Sequence, residues 1–380
     1  MRLLSKSSTR IRQSSLILHR QNKGMDILLL IATVLICLIG LLFIFEASGV
    51  SAARTFNDKY YFLKEQSMWF GLGLITMIVI SLFDYHHYYK LALPIIIGVI
   101  FLLIAVFIPG LGVKALGARR WINLGFSTIQ PSEVAKLALV IYLAAWFSYK
   151  EKSRLIAFMI LMGIIVGLIV IQPDLGTAII VCLIALCIYF ISGVPFWHFL
   201  LLVPLTGGAV FFLSIISPYR FKRLITFLNP SVDPLGMSYH IRQVLLALGS
   251  GGLWGLGLGK SRQKFEYLPE AMTDSIFAIF AEELGFIGCL VLIMIFLFIL
   301  WRAVKIAIKA PDRLGHLLAF GITSWIGIQT IINLGAMVAL VPLTGVPLPF
   351  ISYGGSNLVM TLIGIGILLN ISRQGVVRTR

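Results

Sequence analysis

The sequence predicts an all-α, multi-pass integral membrane protein of about ten transmembrane helices, with a long structured extracellular loop between the seventh and eighth. Three observations carry that reading. Hydrophobic residues fill 59% of the 380 positions, against roughly 45–50% in soluble domains. Charged residues make up only 12%, and the mean hydropathy is +0.98. The apolar residues are also gathered into runs of the ~20 residues that a helix needs to cross the hydrocarbon.

Ten such runs can be marked: 25–46, 66–83, 91–109, 132–149, 155–171, 175–192, 196–216, 275–300, 314–340 and 348–370. The first ends near V-S-A-A, a faint likeness to a signal-peptidase site, but its apolar core is too long for a signal segment. A retained anchor is expected. The four cysteines, Cys37, Cys182, Cys187 and Cys289, all lie in apolar runs without a C-x-x-C pair. They read as packing residues, with neither a disulfide nor a metal site implied.

The net charge of +16 suggests nucleic acid at first sight, but in so apolar a chain basic residues are topology signals first. With the N-terminus inside, seventeen Lys and Arg fall in inner segments and six in the short outer loops. The expected layout is one domain over 1–380. It has a cytoplasmic basic N-terminus at 1–24, a long extracytoplasmic loop at 217–274 and a cytoplasmic tail at 371–380. No internal repeat interrupts it, and no nucleic-acid partner is expected.

That orientation sends the polar residues to the outer half. Glu133 and Lys136, three apart at the start of the fourth run, share a helical face and read more readily as a buried ion pair than as catalysts. Asp174 occupies the tight Q-P-D-L-G turn. Gln329 and Asn333 rise toward the outer end of the ninth run, and P-L-P-F-I-S-Y-G-G-S-N opens the tenth with Ser352 and Ser356. His86 and His87, in D-Y-H-H-Y-Y-K, have no ligand spacing and fit an interfacial aromatic belt.

Within the long loop, Ile241, Val244, Leu245 and Leu248 recur at helical spacing over 237–250, which predicts an amphipathic helix at the interface. His240 reads as a residue of its polar face. The glycine-rich run that follows is no phosphate loop: G-x-x-x-x-G-K-[ST] needs Gly where Trp254 stands, and no strand precedes it.

The densest chemistry lies between Lys260 and Gly285. Three cations, Lys260, Arg262 and Lys264, are followed by three carboxylates, Glu266, Glu270 and Asp274. A hydrophobic helix then carries Glu282 and Glu283 inward, about 12 Å along its axis. They point in different directions, so one of the two is expected to face a cavity. Ionisable groups this close to lipid are costly and usually functional. The i, i+4, i+8 spacing of the three carboxylates would align them on a helix, but Pro269 breaks it, so a metal face is not expected. Asp274 has two readings from its position alone: helix N-cap or catalytic acid.

Several segments together resemble the SEDS family, which includes FtsW, RodA and SpoVE. They are G-A-R-R-W-I-N-L-G at 117–125, Q-P-S-E-V-A-K at 130–136, P-D-L-G-T-A at 173–178 and N-P-S-V-D-P at 229–234. Further along come G-S-G-G-L-W-G-L-G-L-G-K-S-R-Q-K-F-E-Y-L-P-E-A at 249–271, T-D at 273–274, A-E-E-L-G-F-I-G at 281–288 and P-L-T-G-V-P-L-P-F-I-S-Y-G-G-S at 342–356. They span nearly the whole chain in family order, and their wording is closer to FtsW and SpoVE than to RodA. Two positions depart from the family pattern: Met272 stands where His is usual and Ser275 where Phe is usual.

The resemblance implies a peptidoglycan glycosyltransferase that polymerises lipid II at the outer face of a bacterial cytoplasmic (inner) membrane, with the T-D carboxylate, Asp274, as the catalytic residue, expected to act as general base. It also implies a class B penicillin-binding protein as partner, within the cell-division machinery. Cations expected on the leaving diphosphate are Arg119, Arg120, Arg242, Lys260, Arg262 and Lys264, with Glu266, Ser352 and Ser356 also in contact with substrate. Glu133, Lys136, Asp174, Glu282 and Glu283 would shape the cavity. A divalent cation (Mg2+ or Mn2+) is the one cofactor such chemistry would accommodate. The rival readings are a lipid II flippase, which should bind near the membrane midplane, a RodA-like elongation polymerase, and a non-catalytic scaffold.

Overall fold

The computed structural model describes residues 24–115, 118–123, 125, 127–149, 155–229, 237–265 and 268–375. The first seven expected runs lie on α1 (Ile27–Phe56), α2 (Tyr61–Leu82), α3 (His87–Ala105), α4 (Pro131–Ser148), α5 (Leu155–Ile171), α6 (Leu175–Ile191) and α7 (Trp197–Ile216). The long loop holds α8 (Pro218–Leu228) and α9 (Met237–Gly251). The last three runs lie on α10 (Ile276–Ile308), α11 (Arg313–Met337) and α12 (Gly355–Arg373). Among the described residues, seven helices, α1, α2, α3, α7, α10, α11 and α12, are long and apolar enough to cross a membrane, and α5 and α6 are shorter apolar helices. The V-S-A-A stretch is an uninterrupted part of α1.

Burial sorts the bundle. Helices α4, α6, α11 and α12 form its centre, where Leu139, Ile184, Trp325, Leu362 and Ile365 are fully enclosed. By contrast, α7 buries His198 and Leu202 and turns Leu200, Phe211 and Phe212 outward. Apolar residues on every side of α12 fit a helix surrounded by others, while the outward Leu and Phe of α7 fit a lipid-facing one.

Three features depart from the expected layout. The loop between α3 and α4 carries a small antiparallel sheet, β1 (Gly112–Ala115), β2 (Ala118–Asn123) and β3 (Thr128–Ile129), in the order β1-β2-β3. Its strands are too short for alternation to stand out in sequence. The second departure is α8, an additional helix ahead of the one expected at 237–250. Pro218 opens α8 in its first turn, where a missing N–H costs nothing. On α9 the inward face is Ile241, Val244 and Ala247, and Leu245 points outward at 45% exposure.

The third departure is inside α10, which breaks at Gly285 (φ 66°, ψ −165°). The break leaves carbonyls without helical partners, and the glycine-rich segment supplies them. Leu256 and Gly257 donate to the carbonyls of Glu282 and Glu283, while Phe286 and Ile287 donate to those of Gly252 and Leu253. Gly255 (φ 81°) is needed at this contact, because a Cβ there would collide with the Glu283 carbonyl.

At the opposite end of the bundle, His86 is more than a belt residue. Its Nδ1 lies 2.6 Å from Asp84 and its Nε2 3.2 Å from Asp312, joining the α2–α3 turn to the start of α11.

Candidate active site

Asp274 lies in the turn just before α10 and is buried, at 7% exposure. The residue at the helix N-cap is Ser275, and no side chain caps that end. The capping reading of Asp274 therefore has no hydrogen bond behind it. The turn is built on Glu270 (φ 51°), whose carbonyl accepts from the amides of Thr273 and Ser275. This compact reversal replaces the helix that Pro269 forbids.

Three neighbours fix the turn. Asn333 of α11 donates to the Asp274 carbonyl at 2.9 Å and to the Val346 carbonyl at 2.8 Å. The Tyr353 amide donates to the Met272 carbonyl at 2.9 Å, and the Tyr353 hydroxyl donates to Glu65 at 2.6 Å. Beside them, Ser275 and His240 are linked at 2.7 Å through Oγ and Nε2.

The electrostatics suit a base. Burial first, and the Glu270 carboxylate second, push the Asp274 carboxyl up to about 7, against the pull of its own amide, Arg223 and Thr273. Desolvation disfavours the anion, so a carboxyl that would be fully ionised in water can exchange a proton near neutrality. His240 moves the other way, down to about 4, through burial and the Arg223 charge. It is a neutral ring at neutral pH.

A second set of buried groups, the Glu133–Lys136 pair of α4, meets the helix that carries Asn333 at Gln329. Lys136 pairs with Glu133 at 2.7 Å and donates to Gln329 at 2.8 Å. Gln329 in turn donates to the Pro347 carbonyl at 2.9 Å and to Asn357 at 3.1 Å. Gln329 and Asn333 are about one turn apart on α11, so one helix touches both the ion pair and the acid's backbone.

The remaining expected residues fall into separate groups. Asp174 caps α6 through Thr177 and accepts from Gln130 at 3.2 Å, and Arg120 donates to the carbonyls of Gln172 and Pro173. Ser356 accepts from the Gln130 amide at 3.1 Å, while Ser352 accepts from the Leu348 amide at 2.8 Å. Both serine hydroxyls are thus engaged within the protein. Arg119, Arg242, Lys260 and Arg262 are exposed, and Glu266 lies outside the described residues.

Glu282 and Glu283 are both buried, rather than one facing a cavity. The loop after Gly259 wraps over them and binds both. Glu282 accepts from Ser261 and from the Arg262 amide, and Glu283 accepts from the Ser261 amide. Lys264 lies 3.1 Å from Glu46 and 3.6 Å from Glu283, which makes it an internal counterion. Among the described residues, no group of three or more His, Cys, Asp or Glu could hold a metal ion.

Sequence reasoning gives no ground for placing Arg223, His240 or Tyr353 beside the acid. Asn333 does carry a signal, as a polar residue in an apolar run.

A helical membrane protein with a buried acid in the turn ahead of a broken helix is the class that these features define. A family model described as cell cycle protein, FtsW/RodA/SpoVE, matches residues 26–376. The chain belongs to that family. It is 44% identical over 356 residues to stage V sporulation protein E of Bacillus subtilis (strain 168), covering 92% of this chain and 97% of that protein. It is 41% identical over 357 residues to the probable peptidoglycan glycosyltransferase FtsW of Geobacter metallireducens, covering 92% and 95%. Among solved structures it resembles a chain of a peptidoglycan synthase complex that coordinates polymerization and crosslinking, with TM-score 0.75, 29% identity and coverage of 92% and 98%. It also resembles the rod shape determining protein RodA of Thermus thermophilus, with TM-score 0.68, 29% identity and coverage of 92% and 97%.

Proposed function

We propose that this chain is a peptidoglycan glycosyltransferase that polymerises lipid II into glycan strands at the outer face of the bacterial cytoplasmic membrane. The single observation that carries the reading is the buried Asp274 carboxyl in the turn ahead of α10, its backbone held by Asn333. Asp274 takes the proton of the acceptor sugar's 4-hydroxyl as that oxygen bonds to the donor's anomeric carbon. The bond from that carbon to the diphosphate breaks, and the diphosphate leaves with the electron pair. A general base in this role contributes typically ~10²–10⁴-fold.

Positive charge near the departing diphosphate stabilises the charge that develops there. Arg119, Arg120, Arg242, Lys260 and Arg262 remain the candidates from sequence, and Arg223 joins them because its charge reaches Asp274. A divalent cation (Mg2+ or Mn2+) would add to that neutralisation.

The wider context belongs to the same proposal. Both termini are cytoplasmic, ten helices span the membrane, and the partner is a class B penicillin-binding protein within the division machinery. The synthase complex among the structural neighbours supports such a partner.

Purified protein in detergent, supplied with lipid II, tests the reading. Wild type should form polymer, and Asp274→Asn should lose it while keeping its expression and partner binding. Polymer from the variant at the wild-type rate would overturn the assignment of the base. Absence of polymer from wild type, with and without the transpeptidase, would overturn the activity and favour the flippase reading.

A further inference from the structure

The glycine-rich segment between α9 and the Lys260 cluster has a face that neither the fold nor the proposed reaction uses. Leu253 is 64% exposed, Trp254 79% and Leu258 57%. Exposed apolar residues gathered in one place mark a surface that meets something apolar.

Depth says what that is. Phe286 to Trp301 is an apolar stretch of α10 that ends at Arg302, and Arg302 pairs with Asp26 at 2.6 Å. These sixteen residues rise about 24 Å, against a hydrocarbon thickness of ~30 Å. With Arg302 at the inner boundary, Phe286 lies about 6 Å inside the outer one. The carbonyls of Gly252 and Leu253 accept from the Phe286 and Ile287 amides, so the glycine segment shares that depth.

Its hydrogen bonding fits the same place. Irregular backbone survives at hydrocarbon depth only where its polar groups find partners within the protein. Leu256 and Gly257 donate to Glu282 and Glu283, and Gly255 donates to Gly251. The left-handed conformations at Gly252, Gly255 and Gly257 let the backbone follow the break while the Leu and Trp side chains project away from it.

We infer that residues 252–258 are a membrane-immersed segment, with Leu253, Trp254 and Leu258 among the acyl chains of the outer leaflet. Phe286, 62% exposed, and Leu290, 49% exposed, continue the same apolar surface down α10. Lys260 and Arg262, both exposed, then stand at headgroup height. The segment fixes the level of the loop that leads to Asp274.

Site-directed spin labelling tests this without reference to catalysis. In a variant with its four cysteines replaced, nitroxide labels are attached after Trp254→Cys or Leu258→Cys, and the protein is placed in phosphatidylglycerol–phosphatidylethanolamine nanodiscs without a partner. Leu290→Cys serves as the lipid control and Lys59→Cys as the water control. Collision with oxygen relative to a water-soluble nickel chelate should match the lipid control and exceed the water control several-fold. A ratio matching the water control, or shielding from both probes by a second copy, overturns the inference. Should the cysteine-free variant not fold, brominated-lipid quenching of the native protein replaces it. Trp254→Ala should then remove a quenched component, and an unchanged quenched fraction overturns the inference.

Discussion

Asn333 holds Asp274 by its backbone: the Asn333 side-chain amide donates to the Asp274 carbonyl at 2.9 Å across 59 positions of sequence. The same amide reaches the Val346 carbonyl at 2.8 Å. One buried side chain thereby joins the acid's turn to the loop before α12.

Asn333→Asp keeps the shape of that side chain but removes its amide donors. A buried donor lost from such a site costs ~1–3 kcal/mol, which corresponds to about 5–160-fold in rate if it displaces the acid. The polymerisation rate at saturating lipid II should fall by that factor with KM little changed. A change in KM with the saturated rate intact would argue against a positioning role.

The pH profile should rise through about 7, where Asp274 loses its proton. Glu270→Gln removes a repelling charge, so the rising limb should move to lower pH. Arg223→Ala removes an attracting charge and should move it higher. His240→Gln should leave the limb in place, because His240 already titrates near 4. Initial rates between pH 5 and 9 measure all three.

Asp274 also costs stability where it is ionised. In the folded protein it titrates at about 7, above its ordinary 3.8. Its contribution is therefore fully present below about pH 4 and is lost as pH rises through about 7. The loss is at most on the order of 4 kcal/mol. Asp274→Asn should raise Tm in detergent at pH 8 and leave it near wild type at pH 4.

The Glu133–Lys136 pair predicts non-additivity. Removing one member of a buried pair typically costs ~3–5 kcal/mol, because the other charge is left alone. Glu133→Gln and Lys136→Met should each lower Tm, and the double variant should recover much of the loss. Thermal unfolding of the four proteins in one detergent gives the coupling directly.

Much of this protein is legible in its sequence, because a bilayer imposes length and polarity on every segment. The apolar runs mark the long helices, and the rarity of charge singles out Asp274, Glu282 and Glu283. Pro269 forbids a helix through Glu266, Glu270 and Asp274, and a turn stands at Glu270. What the sequence by itself determined was therefore local: which segments are helical and where the costly charges lie. Only the tertiary structure decided their partners. Asn333 with Asp274, His240 with Ser275 and Lys264 with Glu46 are meetings of distant segments. Periodicity reports that a face is covered without naming what covers it. The break at Gly285 and its repair by the glycine segment belong to the same class, because a hydrogen bond between remote backbones leaves no repeat for a sequence to show.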